Sequence, residues 1–302
     1  MRIISSDEVD ACLEDRAVLE TLRKAFRSSL IAPAVPDCRI ERLNGLSGNF
    51  SFQPAWSDFA GQRDVGRGYV GCSLVLDLPE APGRSSSLYI LFSGSGGQPI
   101  AMIDGMRLTI WRRAGLHALA AAYLSREDTS RLLVIGETPQ LPRLLSAYLT
   151  VRRINSILLA GAGRDTLKKL SGLPALSGVH IGVTENIQEA QDGADMICIA
   201  GPESNPGQVH ALDRLDPPAG CHIDVLDRNA NLPGELLQEA RLFSSDLSDP
   251  PDPDLEWAAD LKDLTQGNKA GRRYYGQRTL YLPGRRSGLA DHALAAHVFL
   301  RT

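Results

Sequence analysis

The sequence is short of the features that mark most specialised chemistries. Its 302 residues include only five cysteines, Cys12, Cys38, Cys72, Cys198 and Cys221. They are scattered, and none forms a Cys-x-x-Cys pair, which argues against a disulfide framework or a zinc knuckle. The histidines, His117, His180, His210, His222, His292 and His297, show no metal-ligand spacing, so no metal site is expected. His117 falls among small apolar residues and reads as a packed side chain rather than a catalytic one. Aromatics make up 6% of the chain, and Trp56, Trp111 and Trp257 stand singly, which suits packing better than a binding cage. No Gly-x-Ser-x-Gly elbow supports a hydrolase. There is no basic excess: 32 Lys and Arg against 36 Asp and Glu leave a net charge of -4, with no footprint for nucleic acid or an anionic membrane. No apolar run approaches the ~18 residues of a membrane span. The start, MRIISSDEVDACLEDRAVLETL, lacks the basic-then-apolar pattern of a leader, so a cytoplasmic protein is expected.

What is present is ordinary globular material, 43% hydrophobic and 23% charged, in a chain longer than one average domain. Residues 97–141 organise it. The apolar run Pro99–Ile103 leads to Asp104-Gly105, which reads as a polar turn. A helix starting near Thr109 then carries Arg112, Arg113 and the small residues Ala118–Ala122. After a polar break, Leu132–Ile135 is a buried-strand pattern that enters a turn at Gly136 and then a helix over Leu141–Leu149. Strand, glycine turn and helix open a dinucleotide-binding unit.

Before this stretch, Ser5 and Glu8 suit a capping box for one helix from about Asp7 to Ser28. Short strands are expected around Cys38–Leu43 and Ser51–Phe52, longer ones at Gly68–Leu78 and Ser87–Phe92, and a hairpin turn at 94–99. After it, strands at Leu132–Ile135, Ser156–Ala160, Val179–Val183, Met196–Ala200 and His222–Leu226 alternate with helices at Leu141–Leu149, Thr166–Leu170, Asn186–Asp192 and Ala211–Leu215. Such alternation implies a doubly wound parallel sheet with helices on both faces, an α/β architecture. Arg241–Ser244 adds a strand, a helix is expected over Leu255–Leu264, and the end reads as strand, glycine turn and helix.

Three stretches carry a family resemblance. GQPIAMIDGMRLTIWRRAGLHALAAAYL resembles the block G-x-P-x-A-x-M-D-G-x-x-L-T-x-x-R-T-A-A. GADMICIAGPESNP resembles A-D-I-V-x-x-A-T-P-S-x-x-P, and GNKAGRRYYGQRTLYLPGRRSGLADHALAAHVF resembles G-R-x-x-x-x-x-T-x-F-x-S-x-G-x-A-x-x-D-x-A-A-A. All three belong to the ornithine cyclodeaminase/mu-crystallin family, with its ketimine reductase and amino-acid dehydrogenase relatives. The resemblance implies a homodimer and a Rossmann-like domain for NAD or NADP over 126–277. It also implies an α+β substrate and dimerisation domain over 1–125, to which 278–302 returns. The family reaction moves hydride between the α-carbon of a small amino or imino acid and a nicotinamide. The imine then loses ammonia or is attacked by a second amine, and reductase members run only the return of hydride.

The same resemblance assigns candidate residues. Arg112 matches the carboxylate-binding arginine, whose planar fork suits a carboxylate; a structural salt bridge is the alternative. Arg39 resembles a second carboxylate clamp, with Arg42 as rival. The family's lysine near residue 69 is absent, and Tyr69 stands there, able to hydrogen-bond but not to supply a cation. Asp227, just past the fifth strand, matches the catalytic aspartate that shuttles the amine proton; Asp224 is a rival, and a local capping role is the alternative. On the cofactor side the pattern G-x-G-x-Q-A becomes Gly136-Glu137-Thr138-Pro139-Gln140-Leu141. Gly136, Thr138 and Gln140 remain as contacts, Pro139 removes an amide donor, and Glu137 puts negative charge beside the expected phosphate position. Arg113 replaces a threonine and adds charge near the nicotinamide or phosphate. Arg164 could meet a 2′-phosphate, unless GAGRDT is simply a tight turn. The sequence thus points to an NAD(P)-dependent enzyme on a small amino or imino acid other than ornithine. The alternative is a redox-inactive ligand-binding or partner protein on the same fold.

Overall fold

The computed structural model describes residues 1–41, 47–57, 68–78, 85–201, 212–226, 230–284 and 287–302. Arg42 and Asp227 lie outside the described residues, as does part of the short helix expected at 211–215. The chain divides into two compact units, Met1–Arg113 with Arg286–Thr302, and Ala114–Arg285.

The first unit runs β1 (Arg2–Ile4), α1 (Ser6–Cys12), α2 (Asp15–Arg27), β2 (Cys38–Glu41), β3 (Ser47–Trp56), β4 (Tyr69–Asp77), β5 (Ser85–Ser93), β6 (Pro99–Asp104) and the start of α3 (Gly105–Leu124). Its six strands lie in the order β1-β6-β5-β4-β3-β2. β2 to β6 form an antiparallel meander, and β1 joins β6 in parallel. The capping box at Ser5 and Glu8 forms as expected. The single long helix does not, because Leu13 adopts extended backbone (φ -112°, ψ 132°) and turns its side chain into the core. α2 then restarts and buries Val18, Leu19, Leu22, Ala25 and Phe26. The polar turn expected at Asp104-Gly105 is also absent. The Asp104 carboxylate accepts the Arg107 amide at 2.7 Å and so caps α3 directly from the end of the strand.

The second unit continues with β7 (Arg131–Gly136), α4 (Leu141–Leu149), β8 (Ser156–Ala160), α5 (Arg164–Ser171), β9 (His180–Thr184), α6 (Ile187–Asp192), β10 (Met196–Gly201), β11 (His222–Val225), α7 (Gly234–Glu239), β12 (Arg241–Ser244), β13 (Trp257–Asp260), α8 (Leu261–Gln266) and β14 (Thr279–Leu282). All eight strands are parallel, in the order β13-β12-β14-β11-β10-β7-β8-β9. This is a Rossmann-like doubly wound sheet, with the chain reversing direction across the sheet between β7 and β10. Leu133, Ile135, Ile197, Ile199, Ile223, Val225, Leu242 and Leu280 form the centre of its core. The helix expected over Leu255–Leu264 is instead a short strand followed by a short helix, because Asp260 accepts the Asp263 amide at 2.8 Å and starts α8 there. The last helix, α9 (Gly288–Arg301), returns to the first unit, where it packs on α2 and on β3, β4 and β5. Among the described residues no helix is long and apolar enough to cross a membrane.

Candidate active site

In the first unit the chemistry gathers around Arg112. Its Nε lies 2.7 Å from Oδ1 of Asp291, which sits in the first turn of α9. The N–H does not align with the oxygen, so the contact is an ion pair rather than a directed hydrogen bond. Arg112 is 14% exposed and Asp291 is buried. Burial pushes the Asp291 carboxyl up from its ordinary value, while the Arg112 guanidinium and the Ser287 hydroxyl pull it back. The Ser287 hydroxyl bridges onward: its Oγ lies 2.7 Å from Asp291 Oδ2 and 2.7 Å from Gln53 Oε1, and the Ser287 amide also donates to Gln53 Oε1 at 2.8 Å. A row of four side chains, from β3 through the start of α9 to α3, thus fixes the guanidinium by its inner nitrogen. Its two terminal nitrogens have no other partner among the described residues.

Next to Asp291, His292 meets the Tyr89 hydroxyl at 3.0 Å through Nδ1. Both side chains are buried. Burial lowers His292 to about 4, so it is neutral at ordinary pH, and the same burial holds the Tyr89 phenol well up. Asp291 is therefore left as the counter-charge of Arg112.

The other substrate-side candidates are spread out. Arg39, in β2, is exposed and stands 3.8 Å from Glu41. Its backbone pairs with Asn49, whereas Tyr69 opens β4 opposite the far end of β3, next to the Val70–Trp56 pair. Arg39 and Tyr69 are thus about eight strand residues apart along the sheet, roughly 26 Å. Tyr69 packs edge-on against Phe299 at 5.7 Å, toward the end of α9. Arg113 follows Arg112 in α3 and is half-buried. Arg112 sits in the row that runs through Asp291 and Ser287 to Gln53.

In the second unit the carboxyl ends of β7 and β10 form the switch point of the sheet, where an open α/β sheet receives ligands. Gly136 leaves β7 at φ +90°, and a Cβ there would collide with the carbonyl oxygen of Gly201 on β10. Only glycine makes this turn. Beyond it, Thr138 replaces a backbone approach with side-chain bonding: its Oγ1 accepts the Gln140 amide at 3.4 Å and its carbonyl accepts the Leu141 amide at 3.0 Å. Pro139 and Pro142 carry no N–H. The first turn of α4 therefore keeps the tight turn of a dinucleotide cradle and has fewer free amides to offer a pyrophosphate. Glu137 does not lie along that turn. Its carboxylate accepts a hydrogen bond from the Thr166 hydroxyl in the first turn of α5, so the charge expected beside the phosphate is drawn toward α5. β8 ends in Ala160, Gly161 follows at φ +80°, and Arg164 opens α5 with an exposed side chain. The turn at Gly136, the open strand ends and a carboxylate at the head of α5 fit a dinucleotide held with reduced contact to its pyrophosphate.

Two groups escaped the sequence reading. The row Gln53–Ser287–Asp291 is one, although Asp291 stands inside the quoted tail block at its aspartate. The other surrounds Asp224, the rival of Asp227. Both its oxygens are engaged inside the second unit, one with His117 Nδ1 at 2.6 Å and the other accepting from the Tyr148 hydroxyl at 2.6 Å. Asp224 is fully buried, and His117 packs edge-on against Tyr281 at 5.3 Å. Burial and the Asp224 charge raise the Tyr148 phenol well above its ordinary value and push the Cys198 thiol up. This is an interior polar cluster, and His117 is a packed residue in it, as its surroundings in the sequence suggest.

Comparison with known proteins agrees with this architecture. A sequence profile of the ornithine cyclodeaminase/mu-crystallin family matches residues 79–290. A delta(1)-pyrroline-2-carboxylate reductase from Colwellia psychrerythraea is 28% identical over 259 residues, covering 82% of this chain and 78% of that protein. The Thermococcus litoralis delta(1)-pyrroline-2-carboxylate reductase, solved with NADH and L-proline, superposes with a TM-score of 0.78 at 19% identity, over 100% of this chain and 97% of that one. An archaeal alanine dehydrogenase dimer with bound NAD gives a TM-score of 0.78 at 20% identity, over 99% and 95%. These structural likenesses establish the fold, and the profile match, which spans well over half of the sequence, establishes kinship: the chain belongs to the ornithine cyclodeaminase/mu-crystallin family.

Proposed function

We propose that the chain is an NAD(P)-dependent oxidoreductase that reduces a small 2-imino carboxylate, or oxidises the corresponding amino acid, and that it works as a homodimer. The observation that carries this reading is Arg112, a guanidinium anchored from behind by buried Asp291 with its terminal nitrogens left for a ligand. A carboxylate offers two oxygens at the spacing of those nitrogens. The relatives named pyrroline-2-carboxylate reductase support the substrate class. In this reading the first unit binds substrate and builds the dimer, and the second binds the dinucleotide.

The bound nicotinamide supplies or accepts a hydride at the substrate's α-carbon. Arg112 receives the substrate carboxylate, whereas Arg39, exposed on β2 beside Glu41 and far along the sheet from Tyr69, takes no part at the same small substrate. Asp227, one residue beyond Leu226, holds the proton that passes to the imine nitrogen. Gly136, Thr138 and Gln140 border the dinucleotide's phosphates, and Arg113 and Arg164 offset their charge. Tyr69 in place of a lysine removes the cation expected for ornithine cyclisation, which favours an uncharged side chain or ring on the substrate.

A second reading, ligand binding without redox chemistry, is favoured by one observation: the shortage of free amides at the start of α4 around Thr138, Pro139 and Pro142. Turnover separates the two. Reduction of delta(1)-pyrroline-2-carboxylate with NADH or NADPH is expected in the wild type and lost by at least about a hundredfold in Asp227→Asn. Turnover that survives unchanged in Asp227→Asn removes that residue from the mechanism. Absence of turnover with a panel of imino acids, together with binding of the free carboxylates, establishes the second reading.

A further inference from the structure

We infer that Glu137 supplies, from the end of β7, the carboxylate that receives the adenosine ribose, and that the chain thereby selects the dinucleotide without a 2′-phosphate. The inference rests on the reading of the second unit as a dinucleotide domain.

In a doubly wound sheet the carboxylate that accepts hydrogen bonds from the ribose 2′- and 3′-hydroxyls normally stands at the end of the second strand. Here that strand, β8, ends in Ala160 and passes into Gly161-Ala162-Gly163, with no acidic side chain. The position is vacant in the sequence and filled in the structure from the neighbouring strand. β7 and β8 run parallel with Ile135 opposite Ala160. Glu137 is two residues beyond Ile135, and its side chain crosses toward β8 to meet Thr166 Oγ1 in the first turn of α5. The carboxylate is thus held at the head of the helix that follows β8. It is half-buried, one oxygen is fixed by the threonine, and the other has no partner among the described residues. A carboxylate with a free oxygen accepts from a ribose hydroxyl and repels a phosphate dianion in the same place.

Arg164, the first residue of α5, is the competing determinant, because a cation there would favour a 2′-phosphate. It is exposed and is followed in the same helical turn by Asp165, whereas Glu137 is anchored and half-buried. The geometry therefore favours the acidic residue.

The test is a binding titration of the full chain with NADH and with NADPH, followed by nicotinamide fluorescence, in wild type, Glu137→Gln and Glu137→Asp. The wild type is expected to hold NADH about tenfold or more tighter than NADPH. Glu137→Gln should collapse that ratio toward one by weakening NADH and strengthening NADPH, with little change in melting temperature, and Glu137→Asp should keep a preference of the same sign. A wild type that prefers NADPH overturns the inference and hands the determinant to Arg164. A ratio that is unchanged in Glu137→Gln also overturns it and leaves Glu137 as no more than a partner of Thr166. Failure of both dinucleotides to bind at millimolar concentration overturns the domain reading itself, an outcome separate from either of the others.

Discussion

A guanidinium that is only 14% exposed needs a counter-charge within reach, and Asp291 provides it at the cost of its own burial. Removing one partner of such a pair leaves the other uncompensated, which typically costs about 3–5 kcal/mol. Asp291→Asn is therefore expected to lower stability by a few kcal/mol and, because Arg112 loses its anchor, to raise KM for the imino acid by roughly tenfold or more with a smaller change in kcat. Steady-state kinetics beside denaturant unfolding would show this; a change in stability with KM unmoved would make Asp291 purely structural. Asp224 is buried between His117 and Tyr148, and Asp224→Ala should cost a similar ~3–5 kcal/mol by urea unfolding. At this scale the sequence was uneven. Arg112 stood out because it falls in a dense motif. The partner that gives it meaning is far away along the chain and is visible only once α9 lies against β3. Asp224 and Asp227 could not be told apart from spacing alone, and burial places the first in the interior.

Elements with a single environment were the easiest to read. α4 and β12 have their expected bounds, and so does β8, since short apolar runs closed by polar turns have few alternatives in a parallel sheet. The misses share a cause. From Asp7 to Ser28 the helical period runs unbroken through Leu13, and nothing local signals that this leucine turns inward on extended backbone. Over 255–264 the helical pattern hid β13, whose pairing with β12 is a tertiary event. The glycine turn was legible as a turn, but the direction of Glu137 was not, because it depends on Thr166 in another helix. The turn itself invites a test. Gly136→Ala forces a Cβ into the Gly201 carbonyl at positive φ, and should cost about 2 kcal/mol or more while shifting the strand exit. A lower melting temperature and weakened dinucleotide binding are expected together; normal binding would mean that the strand ends are not the cofactor site.

Among the described residues, His292 in the first unit and His222 in the second are buried and lowered to about 4, mainly by burial. For His222 the Asp224 charge opposes the shift and Arg272 adds to it. The unfolded chain takes up protons near 6.5 while the folded one does not, so the unfolded state binds more protons between about 6.5 and 4 and stability falls as pH drops through that window. The loss amounts to something on the order of 3 kcal/mol per histidine when complete. Melting temperatures between pH 7.5 and 4.5 should fall steeply below about 6.5 and be partly rescued by His222→Gln; a flat profile would mean that neither side chain stays neutral. The α/β plan was readable from alternation, while the arrangement of the large sheet was not, and that arrangement bears on how the chain is made. β12 and β13 touch the rest of the sheet only through β14, which lies between β11 and β12 although it is synthesised after both. α9, which closes the smaller sheet, follows β14 directly. A ribosome that has delivered everything up to residue 278 holds a chain with two unfinished halves, and the 24 residues that follow, with β14 and α9, complete both at once. Nascent chains stalled before Thr279 should accordingly be cut by protease through β12 and β13 as well as in the meander, and should become resistant in a single step rather than unit by unit.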